Sequence, residues 1–275
     1  MKLSEMKQIL ASGDIQLTKS LGQNFLHDQN QIRRIVQAGE VTKSDQVLEI
    51  GPGLGPLTEF LIAEAGQVLA IETDLRLVEF LRKRFAQTVN FELLHADALE
   101  YVRREKRDWS EWKLVANLPY SVASPLLIDL AESVGRPSRI TVTLQWEVAR
   151  RLVATVADDD YGVMSLLMQL SYQPLGQFKI PADCFFPPPD VESACVTLVR
   201  RDQPLLPVEK HHLFKRIVKL GFSQRRKMML KLMKMEWPAD KTIAAFDTLG
   251  LSHQIRAEKV SLEQFVALTN LLTQP

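Results

Sequence analysis

Four short stretches carry residues whose types and spacing suit one kind of chemistry. In LEIGPGLGPLTEFL, Gly51, Gly53 and Gly55 follow an apolar run directly and precede a helical one. Glycines at such a junction let the backbone take positive φ and approach a ligand, while the helix start offers unpaired N–H groups. The spacing G-x-G-x-G departs from the G-x-G-x-x-G of dinucleotide sites. No lysine or arginine follows these glycines, which counts against a nucleotide phosphate. Glu72 closes the next apolar run, QVLAIE, where an acid can bind both hydroxyls of a ribose. Asp97, in LLHADAL, closes the third run in the corresponding place and can accept a hydrogen bond from an adenine amino group. Alone, the glycines would be a tight turn and Asp97 a helix cap. Together they describe a pocket for an adenosine with no pyrophosphate to neutralise.

The fourth run, WKLVAN, ends in Asn117-Leu118-Pro119-Tyr120. The exocyclic amine of adenine is a poor nucleophile, because its lone pair is delocalised into the ring. Two acceptors aimed at its N–H bonds favour a pyramidal nitrogen with that pair free. The Asn117 side-chain oxygen and the Leu118 carbonyl can serve as those acceptors. Pro119 removes a competing donor and stiffens the turn, and Tyr120 offers a ring on which an unstacked base can rest. Glycines and acids at successive strand ends resemble the S-adenosylmethionine-dependent methyltransferases, in which a sulfonium supplies the reactive carbon. No strong base is needed there, since an alkylated amine gives up its proton readily. An isolated Asn-Pro turn with a core tyrosine is the bland alternative; the company of Gly51, Glu72 and Asp97 disfavours it.

These residues need a scaffold, and the apolar pattern predicts one. Strands are expected at 45–50, 67–71, 91–95, 112–116 and 139–144, with a helix marked by Leu75, Val78, Leu81 and Phe85. Alternating strands and helices imply an α/β, Rossmann-like, doubly wound sheet, with ligand loops at the carboxyl ends of its strands. The proline-containing RDQPLLPVEK at 201–210 reads as a linker. It divides the chain into residues 1–200, carrying the chemistry, and an all-α region 201–275 broken at Gly221, Pro238 and Gly250. Ser261 followed by Gln264 suits a capping box for the last helix.

The 275 residues allow one large and one small domain, and a hydrophobic share of 46 % is enough for a buried core. No apolar run approaches the roughly 18 residues of a membrane span, and the N-terminus lacks the features of a secretory signal. Cys184 and Cys195 provide neither a disulfide framework nor metal-ligand spacing. A cytoplasmic, metal-free protein is expected, with no membrane partner and a monomeric state. The net charge of +1 hides an asymmetry: 13 Lys or Arg against 7 Asp or Glu from residue 201 on, and 21 against 26 before it. Between Lys210 and Met235 there are eight basic residues and no acid, either a solvated helix face or a phosphate-tracking surface.

With these residues assembled, nearly the whole chain resembles the KsgA-type (RsmA) ribosomal RNA adenine dimethyltransferases. KSLGQNFLHD at 19–28 looks like that family's N-terminal cofactor motif, which implies that Gln23, Asn24 and Leu26 close over the methionine and adenosine. LEIGPGLGPLT matches the glycine loop (Gly51, Gly53), IETD the ribose acid Glu72, HADAL the adenine-side acid Asp97, and ANLPY the target-amine motif, where Asn117 also borders the cofactor. DCFFPPPDVESACVTL looks like the late Phe-x-Pro-x-Pro segment, so Phe186 would pack on the flipped base opposite Tyr120. GFSQRRKMML resembles the basic helix opening the family's small C-terminal domain, with Arg225, Arg226 and Lys227 as implied RNA contacts. Two departures are visible: Asp190 where the family usually has lysine, and Cys195 where a small aliphatic residue is common.

The resemblance implies a class I methyltransferase fold with a helical RNA-recognition domain at 201–275. It implies dimethylation, from S-adenosyl-L-methionine, of two adjacent adenosines in the hairpin loop near the 3′ end of small-subunit ribosomal RNA. The partner would be that RNA or a 30S precursor, with a place in ribosome biogenesis. Three rivals share parts of the pattern: a large-subunit rRNA dimethyltransferase of the antibiotic-resistance type, a DNA adenine methyltransferase, and a non-catalytic RNA-binding assembly factor. The proline-rich 185–189 segment and FSQRRK argue against the first, the lack of a separate target-recognition domain against the second, and intact Glu72, Asp97, Asn117 and Tyr120 against the third.

Overall fold

The computed structural model of the protein describes residues 1–11, 15, 24–133 and 135–273. The strands among them are β1 (Phe25–Leu26), β2 (Gln46–Ile50), β3 (Gln67–Glu72), β4 (Phe91–His95), β5 (Trp112–Asn117), β6 (Arg139–Gln145), β7 (Tyr172–Ile180), β8 (Phe185–Phe186) and β9 (Ser193–Arg200). The helices are α1 (Leu3–Ala11), α2 (Gln29–Ala38), α3 (Pro56–Glu64), α4 (Leu75–Arg84), α5 (Ala98–Glu105), α6 (Tyr120–Glu132), α7 (Trp146–Val153), α8 (Val163–Gln169), α9 (His211–Phe222), α10 (Met229–Met233), α11 (Ala239–Thr248) and α12 (Leu262–Thr273).

Seven strands form one sheet in the order β4-β3-β2-β5-β6-β9-β7. The pairs β4–β3, β3–β2, β2–β5 and β5–β6 are parallel, and β9 runs antiparallel to β6. All five expected strands appear, each within a residue of its expected bounds. Strands covered by helices on both faces must be apolar throughout rather than alternating. Accordingly Val68, Leu69, Ala70 and Ile71 of β3, and Leu114, Val115 and Ala116 of β5, are almost wholly buried. The order reverses between β2 and β5, and such a reversal opens a crevice beyond the carboxyl ends of the strands. In α4 the buried positions are Leu77, Val78 and Leu81, while Leu75 is half-exposed in its first turn.

Two compact units emerge, and their boundary differs from the expected cut at 200/201. One unit comprises Met1–Ala149 and Gln173–Arg200, the other Arg150–Tyr172 and Arg201–Pro275. Residues 150–172 belong with the helices for a packing reason. The Tyr161 hydroxyl donates to the Val260 carbonyl at 3.0 Å and its ring meets Phe222 edge-on, while the Arg201 N–H donates to the Ser171 carbonyl at 2.9 Å. Helix α12 opens with the expected capping box: the Ser261 N–H donates to the Gln264 side chain at 2.9 Å, and the Gln264 N–H to Ser261 Oγ at 3.3 Å. FSQRRK is not the basic helix expected from the resemblance. Ser223 caps α9, its Oγ donating to the Leu220 carbonyl at 2.7 Å, and a turn closed by Lys227 N–H on the Gln224 carbonyl follows. Arg225, Arg226 and Lys227 are therefore exposed on a turn before α10.

Candidate active site

The strand ends expected to carry chemistry converge on one cavity in the sheet-bearing unit. Gly51 and Gly53 follow β2, Glu72 ends β3, Asp97 follows β4, Asn117 ends β5, and Leu118 to Tyr120 follow it; all of them line it. Asn24, Phe25, Leu77 and Ala98 complete parts of the wall, and the atom-free space including the open mouth is about 920 Å³. Two acids and no lysine or arginine are among the described lining residues. Such a wall suits a cationic, phosphate-free adenosine derivative and repels an anionic nucleotide.

The glycine loop is shaped by what crowds it. Gly51 has φ +66°, and a Cβ there would sit 3.1 Å from the Pro119 ring, so the target-amine turn rests directly on the first glycine. Gly53 has φ +62°, and a Cβ would lie 2.6 Å from the Phe25 ring. Side chains at either place would be strained and would fill the cradle.

Glu72 is 5 % exposed, and its carboxylate accepts three backbone N–H bonds: Gly53 at 3.2 Å on Oε2, Thr73 at 2.8 Å and Asp74 at 2.9 Å on Oε1. A carboxylate has about four lone-pair sites, so Oε2 keeps room for a further donor. Burial raises the Glu72 pKa, the three N–H bonds oppose that rise, and Asp74 adds to it. Asp97 is both cap and wall: Oδ1 accepts the Glu100 N–H at 2.9 Å at the start of α5, and its side chain borders the cavity.

Asn117 shows the feature that matters most. Its Nδ2 donates to the Asn24 carbonyl at 3.1 Å, which commits the amide's donor end and fixes its orientation. Its Oδ1 is buried and has no hydrogen-bond partner among the described residues. Leaving a buried acceptor unpaired costs about 1–3 kcal/mol. Next to it, the Leu118 N–H donates to the Thr143 carbonyl at 3.0 Å, and the Leu118 carbonyl accepts no hydrogen bond among the described residues. The Tyr120 ring is half-buried on the cavity wall, with its hydroxyl 2.5 Å from Ser193 Oγ.

Other expected site residues fall elsewhere. Leu26 is 1 % exposed in the apolar cluster with Ile32, Val47 and Leu57, so its side chain belongs to the core rather than the cavity wall. Phe186 does not line the cavity either: it pairs with Phe25 across β1 and β8, its ring packs on the cluster holding Met6 and Leu77, and Lys7 Nζ lies 5.4 Å over it. Gln23 lies outside the described residues. Cys195 is fully buried, and desolvation pushes its thiol up to about 12. No group of three or more metal-ligating side chains occurs among the described residues, and no helix among them is long and apolar enough to cross a membrane.

Sequence reasoning passed over Phe25, Ser193 and Glu49. Glu49 had a visible signal, a charge inside the apolar QVLEI directly before the glycines. It is 1 % exposed and its Oε2 has no hydrogen-bond partner; the Thr58 hydroxyl nearby also lacks a bond of ordinary geometry. Burial pushes the Glu49 carboxyl up to about 8, with Thr58 lowering it and the Glu72 charge raising it. A carboxyl whose folded pKa exceeds its unfolded value binds more protons in the native state between the two, so stability falls as pH rises through that window. The slope from one such group is at most about 1.4 kcal/mol per pH unit. Glu49→Gln is therefore expected to match the parent near pH 4, to exceed it in stability already near pH 6, and to exceed it most near pH 9. Denaturation midpoints at the three pH values check this, and curves that stay parallel would refute it.

The sequence profile described as ribosomal RNA adenine dimethylase matches residues 15–274. The chain belongs to that family. Its relatives include the ribosomal RNA small subunit methyltransferase A of Latilactobacillus sakei subsp. sakei, 35 % identical, the alignment covering 98 % of this chain and 94 % of the relative. The protein of the same description from Streptococcus pneumoniae (strain P1031) is 37 % identical, over 98 % and 96 % of the two chains. Among solved structures, the 23S rRNA methyltransferase ErmE is 28 % identical with a TM-score of 0.71, covering 91 % of this chain and all of that one. A dimethyladenosine transferase from Plasmodium falciparum has a TM-score of 0.72 at 24 % identity, over 89 % and 95 % of the chains, and shares the fold.

Proposed function

We propose that the protein dimethylates the exocyclic amine of two adjacent adenosines in the 3′-terminal hairpin loop of small-subunit ribosomal RNA, with S-adenosyl-L-methionine as methyl donor. The observation that carries this reading is the buried, unpartnered Oδ1 of Asn117 beside the free Leu118 carbonyl, in a cavity walled by Glu72 and Asp97. The names and 35–37 % identities of the curated relatives favour the small subunit as substrate over the large subunit of the more distant ErmE.

The residues present fit the donor. Gly51 and Gly53 leave a cradle that a Cβ would fill, Glu72 Oε2 can accept a ribose hydroxyl, and the free oxygen of Asp97 can accept the donor's adenine amino group. When bound, S-adenosylmethionine supplies an electrophilic methyl carbon on a sulfonium. The chain's part is to orient the amine. Asn117 Oδ1 and the Leu118 carbonyl accept hydrogen bonds from its two N–H groups, favouring a pyramidal nitrogen whose lone pair is withdrawn from the ring's π system, while Pro119 holds the turn and Tyr120 supports the base's face. With the donor bound, the N–C bond would form as the methyl's bond to sulfur breaks, leaving a neutral thioether, and the alkylated nitrogen would release one proton to water. After one methyl transfer the amine retains one hydrogen, so one of the two acceptors faces a methyl group in the second round. Asn24 lines the cavity and its carbonyl holds Asn117 Nδ2, while Leu26 and Phe186 support the wall from behind; Gln23 keeps the cofactor-closing role that the resemblance implies.

Incubating the protein with labelled methyl donor and unmethylated small subunits, then mapping the label, tests the proposal. Label on two adjacent adenosines near the 3′ end is expected; label confined to large-subunit RNA, or none, would overturn it.

In the helical unit, Arg225, Arg226 and Lys227 on the exposed turn after α9 are assigned to RNA phosphates, giving residues 201–275 their proposed recognition role. Each phosphate contact contributes nearly one unit to the slope of log affinity against log salt. Arg225→Glu combined with Arg226→Glu is expected to weaken RNA binding and flatten that slope by about 2 units. Titrations at several salt concentrations measure it, and an unchanged slope would remove the turn from the interface.

A further inference from the structure

We infer that Ser193 is a positioning residue for the target base, acting through the ring of Tyr120. Ser193 is fully buried as the first residue of β9, and its Oγ lies 2.5 Å from the Tyr120 hydroxyl across 73 residues of sequence. Tyr120 opens α6 immediately after the Pro119 turn, and its half-buried ring forms part of the cavity wall. A tyrosine at a helix start has several staggered side-chain orientations within reach. A bond at the far end of the ring selects one of them.

The other end of that bond is fixed to the sheet. Ser193 pairs in register with Gln145, the last residue of β6, and the neighbouring Trp146 N–H donates to the Glu192 carbonyl at 2.8 Å. One strand nearer the site, Thr143 of β6 pairs with Asn117, and the Thr143 carbonyl takes the Leu118 N–H at 3.0 Å. The aromatic support and the two amine acceptors are thus referenced to the same strand, β6. Burial also raises the Tyr120 pKa, which favours the neutral phenol that can share a hydrogen bond with Ser193 in either direction. With the ring tied down, a flipped base meets a surface at a set distance from Asn117 Oδ1; with the tie cut, the base is still bound but its amine wanders from the acceptors. Displacements of an ångström at a reacting centre cost up to about 100-fold in rate.

This inference rests on the proposed methyl transfer, and the test separates the two. Steady-state kinetics on unmethylated small subunits are compared for the parent, Ser193→Ala, Tyr120→Phe and the double variant, alongside equilibrium binding of the methyl donor. Ser193→Ala is expected to lower kcat about 10- to 100-fold, with the subunit KM and the donor Kd within about 3-fold of the parent. Tyr120→Phe retains the ring and loses only the hydroxyl, so it should show the same split. It decides the matter alone if Ser193→Ala fails to fold. Because both substitutions cut one bond, the double variant should be no slower than the slower single. Parental kcat in Tyr120→Phe, losses that multiply in the double variant, or a loss confined to KM would each overturn the inference. A parent protein that transfers no methyl group at all would instead remove the proposed function, and this inference with it.

Discussion

Replacing Asn117 by alanine is expected to lower kcat for methyl transfer by about 100- to 1,000-fold, the range typical of deleting one preorganised group that acts only as charge develops. The effect should fall on turnover because Oδ1 has no partner among the described residues, which leaves it available to the amine. The donor end of the same amide holds the Asn24 carbonyl, so a modest loss of donor affinity, a few-fold, is expected as the N-terminal side of the cavity loosens. Asn117→Asp is the informative companion. It retains an oxygen facing the cavity but sets a second oxygen against the Asn24 carbonyl, so it should be slow as well and recover partly at low pH, where a protonated carboxyl can donate. Measuring kcat on unmethylated small subunits beside equilibrium binding of the methyl donor separates the two roles. Undiminished turnover in Asn117→Ala would remove the acceptor pair from the mechanism.

The second large effect is expected at Glu72, on binding rather than turnover. Hydrogen bonds to a charged group contribute about 1.5–3 kcal/mol each, so losing a carboxylate that receives a ribose hydroxyl should weaken donor binding at least 10- to 100-fold. Glu72→Ala has a second consequence, since the N–H groups of Gly53, Thr73 and Asp74 lose their acceptor. Buried orphaned donors cost about 1–3 kcal/mol each, and the glycine loop should loosen with them. Glu72→Gln retains one oxygen for two of these bonds when its amide is oriented suitably, so it should recover much of the stability and little of the affinity. Calorimetric titration with the methyl donor and a denaturant midpoint on each variant would show the split. Equal donor affinity in parent and Glu72→Gln would refute the ribose role.

The elements and the polar ends of the strands were legible because local chemistry determines them. Apolar runs such as QVLAIE and WKLVAN must be covered on both faces, and their ends are marked by glycines, acids or Asn-Pro within a few residues. The capping box of α12 is likewise a matter of residues three apart. A parallel sheet then brings its carboxyl ends to one crevice whatever the loops contain, so Gly51, Glu72, Asp97 and Asn117 could be grouped before any coordinates.

What the tertiary structure alone decided concerns partners distant along the chain. Phe186 carries a motif that suits stacking on a base, yet pairing with Phe25 and packing by α1 turn it into the wall's backing. Residues 150–172 precede the proline-containing linker, which in the sequence groups them with 1–200; contacts remote in sequence, such as Tyr161 reaching Val260 and Arg201 bonding Ser171, assign them to the helical unit. FSQRRK could have extended a helix by propensity; Ser223 bonding back to Leu220 ends it. Ser193 sits in the proline-rich stretch DCFFPPPDVESACVTL but nothing local singles it out, because its inferred role depends on a tyrosine 73 residues away meeting it at the junction of β6 and β9. Periodicity and turn chemistry act over a few residues and are written in the order of amino acids. The direction a side chain faces, and which oxygen is left without a partner, are settled only when strands remote in sequence come into register.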